Sequence, residues 1–268
     1  MIAAFLLAAQ AATFAPPLDR PLRASTETTR TDAGVIRRFT NARRIVFRRA
    51  GTGYRAEVTI EAGAPVAEGY DDPAAMFRAG FARIAGRTVA LHLDTAGRVT
   101  AIEDQAAVWK AFLDGIAALA PAGTGDLERK RAGRIRAILS VLTPMPPERQ
   151  RATLASLVEP LIAADIAAAG EAPPRAVQLP ATSPYGTVQL DGIRTVRRVA
   201  EGLEVLVAAE GAVATAGPDG TAQGRMSLET FRRIDPESAL VTESREEIRT
   251  RLPDGSMASE RTTLTRLE

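Results

Sequence analysis

The residue types able to do chemistry are few in this chain. His92 is the only histidine of 268 residues, and cysteine is absent. Those two facts exclude multi-histidine metal sites, thiolate chemistry, cysteine zinc sites and disulfides. A His92–Asp94 acid/base pair is the one histidine arrangement that the spacing offers. Against it stands a purely structural His92 on the less apolar face of a strand. Asp71-Asp72 and Asp94 carry carboxylates that could meet a cation, but the calcium-loop pattern is missing, and helix capping and turn formation account for them more simply. No phosphate-cradling glycine loop, dinucleotide fingerprint or nucleophile elbow is present. The densest charge is basic: Arg129, Lys130, Arg131, Arg134 and Arg136 share one helical segment. It reads either as a solvated helix face or as a surface, with Arg129, Lys130 and Arg134 in contact, for anionic lipid head groups or an acidic partner.

Composition points the same way. Of 34 basic residues all but Lys110 and Lys130 are arginine, and the formal net charge is only +2. A nucleic-acid binder needs a concentrated basic surface, so nucleic acid is not an expected partner. Hydrophobic residues make up 46% and aromatic residues 4%, so the core must be built from Val, Leu, Ile and Ala. No cofactor and no metal are expected, and an enzyme is the weakest functional class.

The stretch 87–119 organises the rest. It reads as a strand (Thr88–Leu93), a turn at Asp94-Thr95-Ala96-Gly97, a second strand (Arg98–Ile102) and an amphipathic helix. Before it, 22–102 reads as a β block interrupted by a short helix over 73–85. Tyr54, Ala56, Val58 and Ile60 alternate with Arg55, Glu57 and Thr59, as a half-buried strand requires. The long strand from Val35 to Arg49 alternates imperfectly, which predicts a bulge or burial on both faces. Residues 103–170 read as three helices, the third kinked at Pro160. After a Pro-punctuated return segment, 185–268 reads as a second meander with turns at Pro218-Asp219-Gly220 and Pro253-Asp254-Gly255. Its residues Glu243, Arg245, Glu247, Arg249 and Arg251 are expected on a solvated charged face. The fold class expected is α+β: a long antiparallel curved sheet or open β-barrel, with the three-helix insertion packed on its concave face. Residues 12–268 form one domain in this reading.

Residues 1–11 are expected to be an export signal. Ile2 to Ala9 is an apolar run too short to span a bilayer, Ala9-Gln10-Ala11 has the small-x-small form of a cleavage site, and no transmembrane span is expected. No basic residue precedes the apolar run, so the true start is either Met1 or a point upstream. The expected compartment is the periplasm.

In this layout the chain resembles the open-barrel fold of bacterial lipoprotein-localisation carriers and related exported families. The hairpin Gly86-Arg87-Thr88-Val89-Ala90-Leu91-His92-Leu93-Asp94-Thr95-Ala96-Gly97-Arg98-Val99 is similar to an element that recurs in the latter. The resemblance is architectural, has no diagnostic motif and transfers no site. It implies a curved sheet with an apolar concave face plugged by helices. Two functions follow as expectations. One is a non-enzymatic binder or carrier of an apolar ligand, an acyl chain or lipid-like molecule, in a cavity lined by Val89, Leu91, Trp109, Phe112 and Leu113. The other is an envelope module without a cavity, binding another protein through its outer surface.

Overall fold

A computed structural model describes residues 14–32, 34–61, 79–120, 125–217 and 220–268. Eleven strands form one antiparallel sheet: β1 (Pro21–Asp32), β2 (Val35–Ala50), β3 (Gly53–Ile60), β4 (Thr88–Leu93), β5 (Val99–Ile102), β6 (Ala172–Ser183), β7 (Gly186–Val199), β8 (Gly202–Gly217), β9 (Gly220–Ile234), β10 (Val241–Arg251) and β11 (Met257–Leu267). Their spatial order is β5-β4-β3-β2-β1-β11-β10-β9-β8-β7-β6. The two meanders are therefore joined through β1 and β11, and the sheet stays open, with β5 and β6 as its edges. Between β5 and β6 the chain forms α1 (Gln105–Ala117), α2 (Asp126–Leu142), α3 (Pro147–Ala155), a 3-10 turn (Glu159–Leu161) and α4 (Ala164–Ala169). The α+β open-sheet expectation holds. The presumed export signal, Asp71-Asp72 and most of the short helix expected over 73–85 lie outside the described residues; within them, 79–82 is helical.

Three local expectations need correction. β2 pairs in unbroken register with β1 over Val35–Val46 and with β3 over Arg43–Ala50, so its imperfect alternation is not a bulge; Phe39, Ile45 and Phe47 are buried while Ile36 is 64% exposed. The Pro-punctuated return segment is itself β6. An edge strand tolerates proline because one side of its ladder has no partner, and Pro173 and Pro174 fall where the register with β7 shifts. The expected third helix is broken rather than kinked: α3 stops at Ala155, and Pro160, which has no N–H to donate, lies in the separate 3-10 turn.

The sheet is strongly curled. β6 and β10 stand four strands apart, about 19 Å in a flat sheet, yet their Cα atoms approach within 8 Å. That curl encloses Ala181, Leu190, Ala209, Val213, Met226, Leu228 and Ile248 as a core patch of strand residues alone. The register carries the same face across β10, β11, β1 and β2 to Ile45 and Phe47, so the helices pack on the concave side. There α1 lays Trp109, Phe112 and Ile116 against the wall of β3 and β4 in the largest patch, while Ala163 anchors a third patch with Val196, Leu203, Val205, Ile234 and Val241. Gly115 makes the α1 crossing close: a side chain there would collide with the Ala79 carbonyl. One end of the cup is sealed by the chain around Phe14, whose N–H donates to the Thr95 carbonyl at 3.1 Å, and by Ala163, whose N–H donates to the Ala239 carbonyl at 2.9 Å.

Candidate ligand-binding face

On β4, Val89 and Leu91 face the core opposite Val58 and Ala56 of β3, as period-two alternation requires. Both are buried, as are Trp109 and Phe112, and Leu113 is partly buried against them. All five predicted lining residues thus belong to one patch, between α1 and the sheet. The Trp109 and Phe112 rings stack with centroids 5.2 Å apart, and Phe81 meets Phe112 at 5.0 Å. Within this apolar layer the Trp109 indole Nε1 is buried without a hydrogen-bond partner. A buried orphan donor is uncommon and costs roughly 1–3 kcal/mol.

The concave face is not apolar throughout. Between the helix-covered patch and the curled end, β1 and β11 place Thr26 opposite Thr265 and Thr28 opposite Thr263, with hydroxyl oxygens 3.0 and 3.4 Å apart. Farther along, Arg37, Arg30 and Arg261 lie directly opposite one another on β2, β1 and β11. Asp32 pairs with Arg30 at 2.5 Å and with Arg37 at 3.4 Å, and Glu246 pairs with Arg261 at 2.9 Å. Arg43 faces the same side, in a row with Ala24 and Ile60. The expectation of an apolar concave face therefore holds only in part: the strands that join the two meanders carry a band of hydroxyls and arginines.

The outer face is ionic but less solvated than expected. Glu204 accepts from Arg197 at 2.8 and 2.6 Å and from Arg233 at 3.2 Å, and is only 7% exposed. The Arg197 hydrogen bond, ahead of Arg233, holds its carboxyl below the usual range. Glu247, 6% exposed, lies between Arg245 and Arg249, which also reaches Glu260 at 3.0 Å. A polar cleft of about 320 Å³ opens on this side across β1, β2 and β11, where Arg23 and Glu61 close one wall with a two-pronged ion pair.

His92 also faces outward, and its partner is not Asp94. Its Nε2 lies 3.0 Å from Glu103 Oε1, while Arg55 donates to both oxygens of Glu103 at 2.7 and 2.9 Å. The Arg55 hydrogen bond in particular holds the Glu103 carboxyl at about 2. Asp94 Oδ1 accepts the backbone N–H groups of Ala96 and Arg98, both at 2.9 Å, which fixes the β4–β5 turn. Among the described residues no three carboxylate or imidazole groups converge as a metal site would require.

On α2, Arg129, Lys130 and Arg134 are exposed, and Arg129 pairs with Asp126 one turn away. The helix is lightly anchored, with Ile135 alone fully buried. Its start is held by Glu128, whose carboxylate accepts the Gly125 N–H at 2.8 Å. No helix of the described residues is long and apolar enough to cross a membrane. Comparison with protein-family models finds no match, and no curated protein is significantly similar to the chain.

Proposed function

We propose that the protein is a non-enzymatic binder or carrier of an apolar ligand, an acyl chain or lipid-like molecule, acting in the periplasm after export. The observation that carries this is how the concave face is closed. Its largest apolar patch is covered by a helical insertion rather than by a second sheet, and beside it the sheet turns polar instead of continuing as core. A lid of that kind can be displaced without breaking the strand ladder. An acyl chain entering beneath α1 would exchange one apolar contact for another against Val89, Leu91, Phe112 and Leu113. The unpartnered indole N–H of Trp109 would meet an ester or carboxyl oxygen there. The architectural resemblance to lipoprotein-localisation carriers supports the same ligand class.

A second function rests on α2. Its exposed Arg129, Lys130 and Arg134, on a helix whose one fully buried residue is Ile135, suit an acidic envelope partner or anionic lipid head groups. The two are separable by titration with a fluorescent fatty acid. Saturable uptake at one site per chain supports the carrier. Signal that rises linearly without saturation overturns it and leaves the interaction module.

A further inference from the structure

We propose that Arg43 binds the anionic head group of the ligand, so that the protein selects an acyl chain ending in an oxyanion, a carboxylate or a phosphate, over a neutral one. This rests on the carrier function and specifies its ligand.

Arg43 sits in β2 on the concave face. Its direct neighbours across the sheet are Ala24 on β1 and Ile60 on β3, and two residues along the strand lie Asn41 and Ile45. Ala24, Ile45 and Ile60 are buried members of the largest apolar patch. The Nε of Arg43 is itself buried and has no hydrogen-bond partner, and among the described residues the side chain has no ion pair. Arg30, Arg37 and Arg261, on the same face, differ: the first two are paired with Asp32 and the third with Glu246. Protein mass surrounds the guanidinium closely enough to lower its pKa to about 10, through burial alone, so it remains charged at neutral pH. Yet part of the residue still reaches solvent. A charge enclosed on most sides but still reachable is a group in a recess.

A buried charge without a counterion is among the most unfavourable features a fold can hold. Nothing in the packing requires arginine at this position: an apolar residue would continue the row of Ala24 and Ile60. A ligand oxyanion supplies the missing partner. The guanidinium fork matches carboxylate and phosphate oxygens two at a time, which an alcohol cannot reproduce. The position suits an amphiphile. Ile45 and Ile60 offer apolar wall on one side for the chain, and Asn41 with the Thr26–Thr265 pair offers polar groups on the other.

The test compares binding of palmitate, hexadecyl phosphate and hexadecanol to the intact chain and to Arg43→Met and Arg43→Lys by calorimetric titration. The proposal expects at least one of the two anions to bind tenfold or more tightly than hexadecanol, the tighter one identifying the head group. Arg43→Met should lose that preference while keeping its affinity for hexadecanol, and Arg43→Lys should keep part of it. The ligand-free thermal midpoint of Arg43→Met should equal or exceed that of the parent, because an unpaired charge is removed; a large fall would assign Arg43 a structural role and overturn the proposal. Equal affinity for all three compounds, or a preference that survives in Arg43→Met, also overturns it while leaving the carrier function standing. Binding of none of the three overturns both.

Discussion

Tyr54 donates its phenolic hydrogen to the carbonyl of Phe14 at 2.5 Å, deep in the core, and the two rings meet edge-on with centroids 5.3 Å apart. This contact ties the segment before the first strand to β3, forty residues later. Tyr54→Phe keeps the ring packing and leaves the Phe14 carbonyl without this donor. Stability should fall by about 1–2 kcal/mol, read as a shift in the urea midpoint at unchanged slope.

Gly97 should tolerate no side chain. It sits at φ +79°, and a Cβ there would lie 2.7 Å from Ile162 Cγ2 and 3.1 Å from the Phe14 ring, where the sealed end of the cup closes. Gly86 has nearly the same φ, +77°, with open space around it. Gly86→Ala therefore reports backbone strain alone, about 1 kcal/mol, whereas Gly97→Ala adds the steric clash. Thermal denaturation of the two variants should rank Gly97→Ala as clearly the less stable.

The Arg55–Glu103–His92 contact makes a pH prediction. The Glu103 carboxyl is held down from its ordinary 4.5 to about 2, chiefly by its hydrogen bond to Arg55. A carboxyl whose pKa is lower folded than unfolded stabilises the fold above the unfolded value, and that contribution disappears as the pH falls through the folded one. Stability contributed by Glu103 should thus be full above about pH 5 and decline between 4.5 and 2. Glu103 is exposed, so the effect should be small and should weaken in salt. In Glu103→Gln this part of the acid limb should flatten; an unchanged acid profile would show that the ion pair contributes nothing.

Phe112 supports α1 through its stack with Trp109 and its contact with Phe81. Truncation to alanine should cost about 3–5 kcal/mol. Trp109 is the only tryptophan and is buried, so the emission of the parent chain should be blue-shifted. Saturation with palmitate should change that emission if α1 is the lid, whereas a ligand bound elsewhere would leave it as it was.

Much of the fold was legible because it rests on local pattern. The alternation of Tyr54, Ala56, Val58 and Ile60 locates β3, and Val89, Leu91 and Leu93 locate β4 with its inward face. The spacing of Phe112 and Ile116 locates α1. Other features depend on long-range pairing. The prolines of β6 look like a linker until it is known that the strand lies at an edge. The arginines of β2 look like the solvated half of an alternating strand until the register with β1 and β3 puts Arg43 in line with Ala24 and Ile60. His92 seems to belong with Asp94, its neighbour in sequence, but the partner comes from beyond β5, and Asp94 is occupied by its own turn. The five predicted lining residues share one apolar patch because hydrophobic periodicity encodes burial. The polar band beside them was not foreseen, since threonine on a strand gives no sign of which face it occupies.

The most direct test of a carrier is to weigh it. Protein purified from the cells that naturally make it should be measured by native mass spectrometry and again after denaturation. A carrier should show an excess mass in the native spectrum that disappears on denaturation and matches an acyl-chain compound, one per chain. A native mass equal to the denatured one, in protein that also fails to take up added palmitate or hexadecyl phosphate, would contradict it.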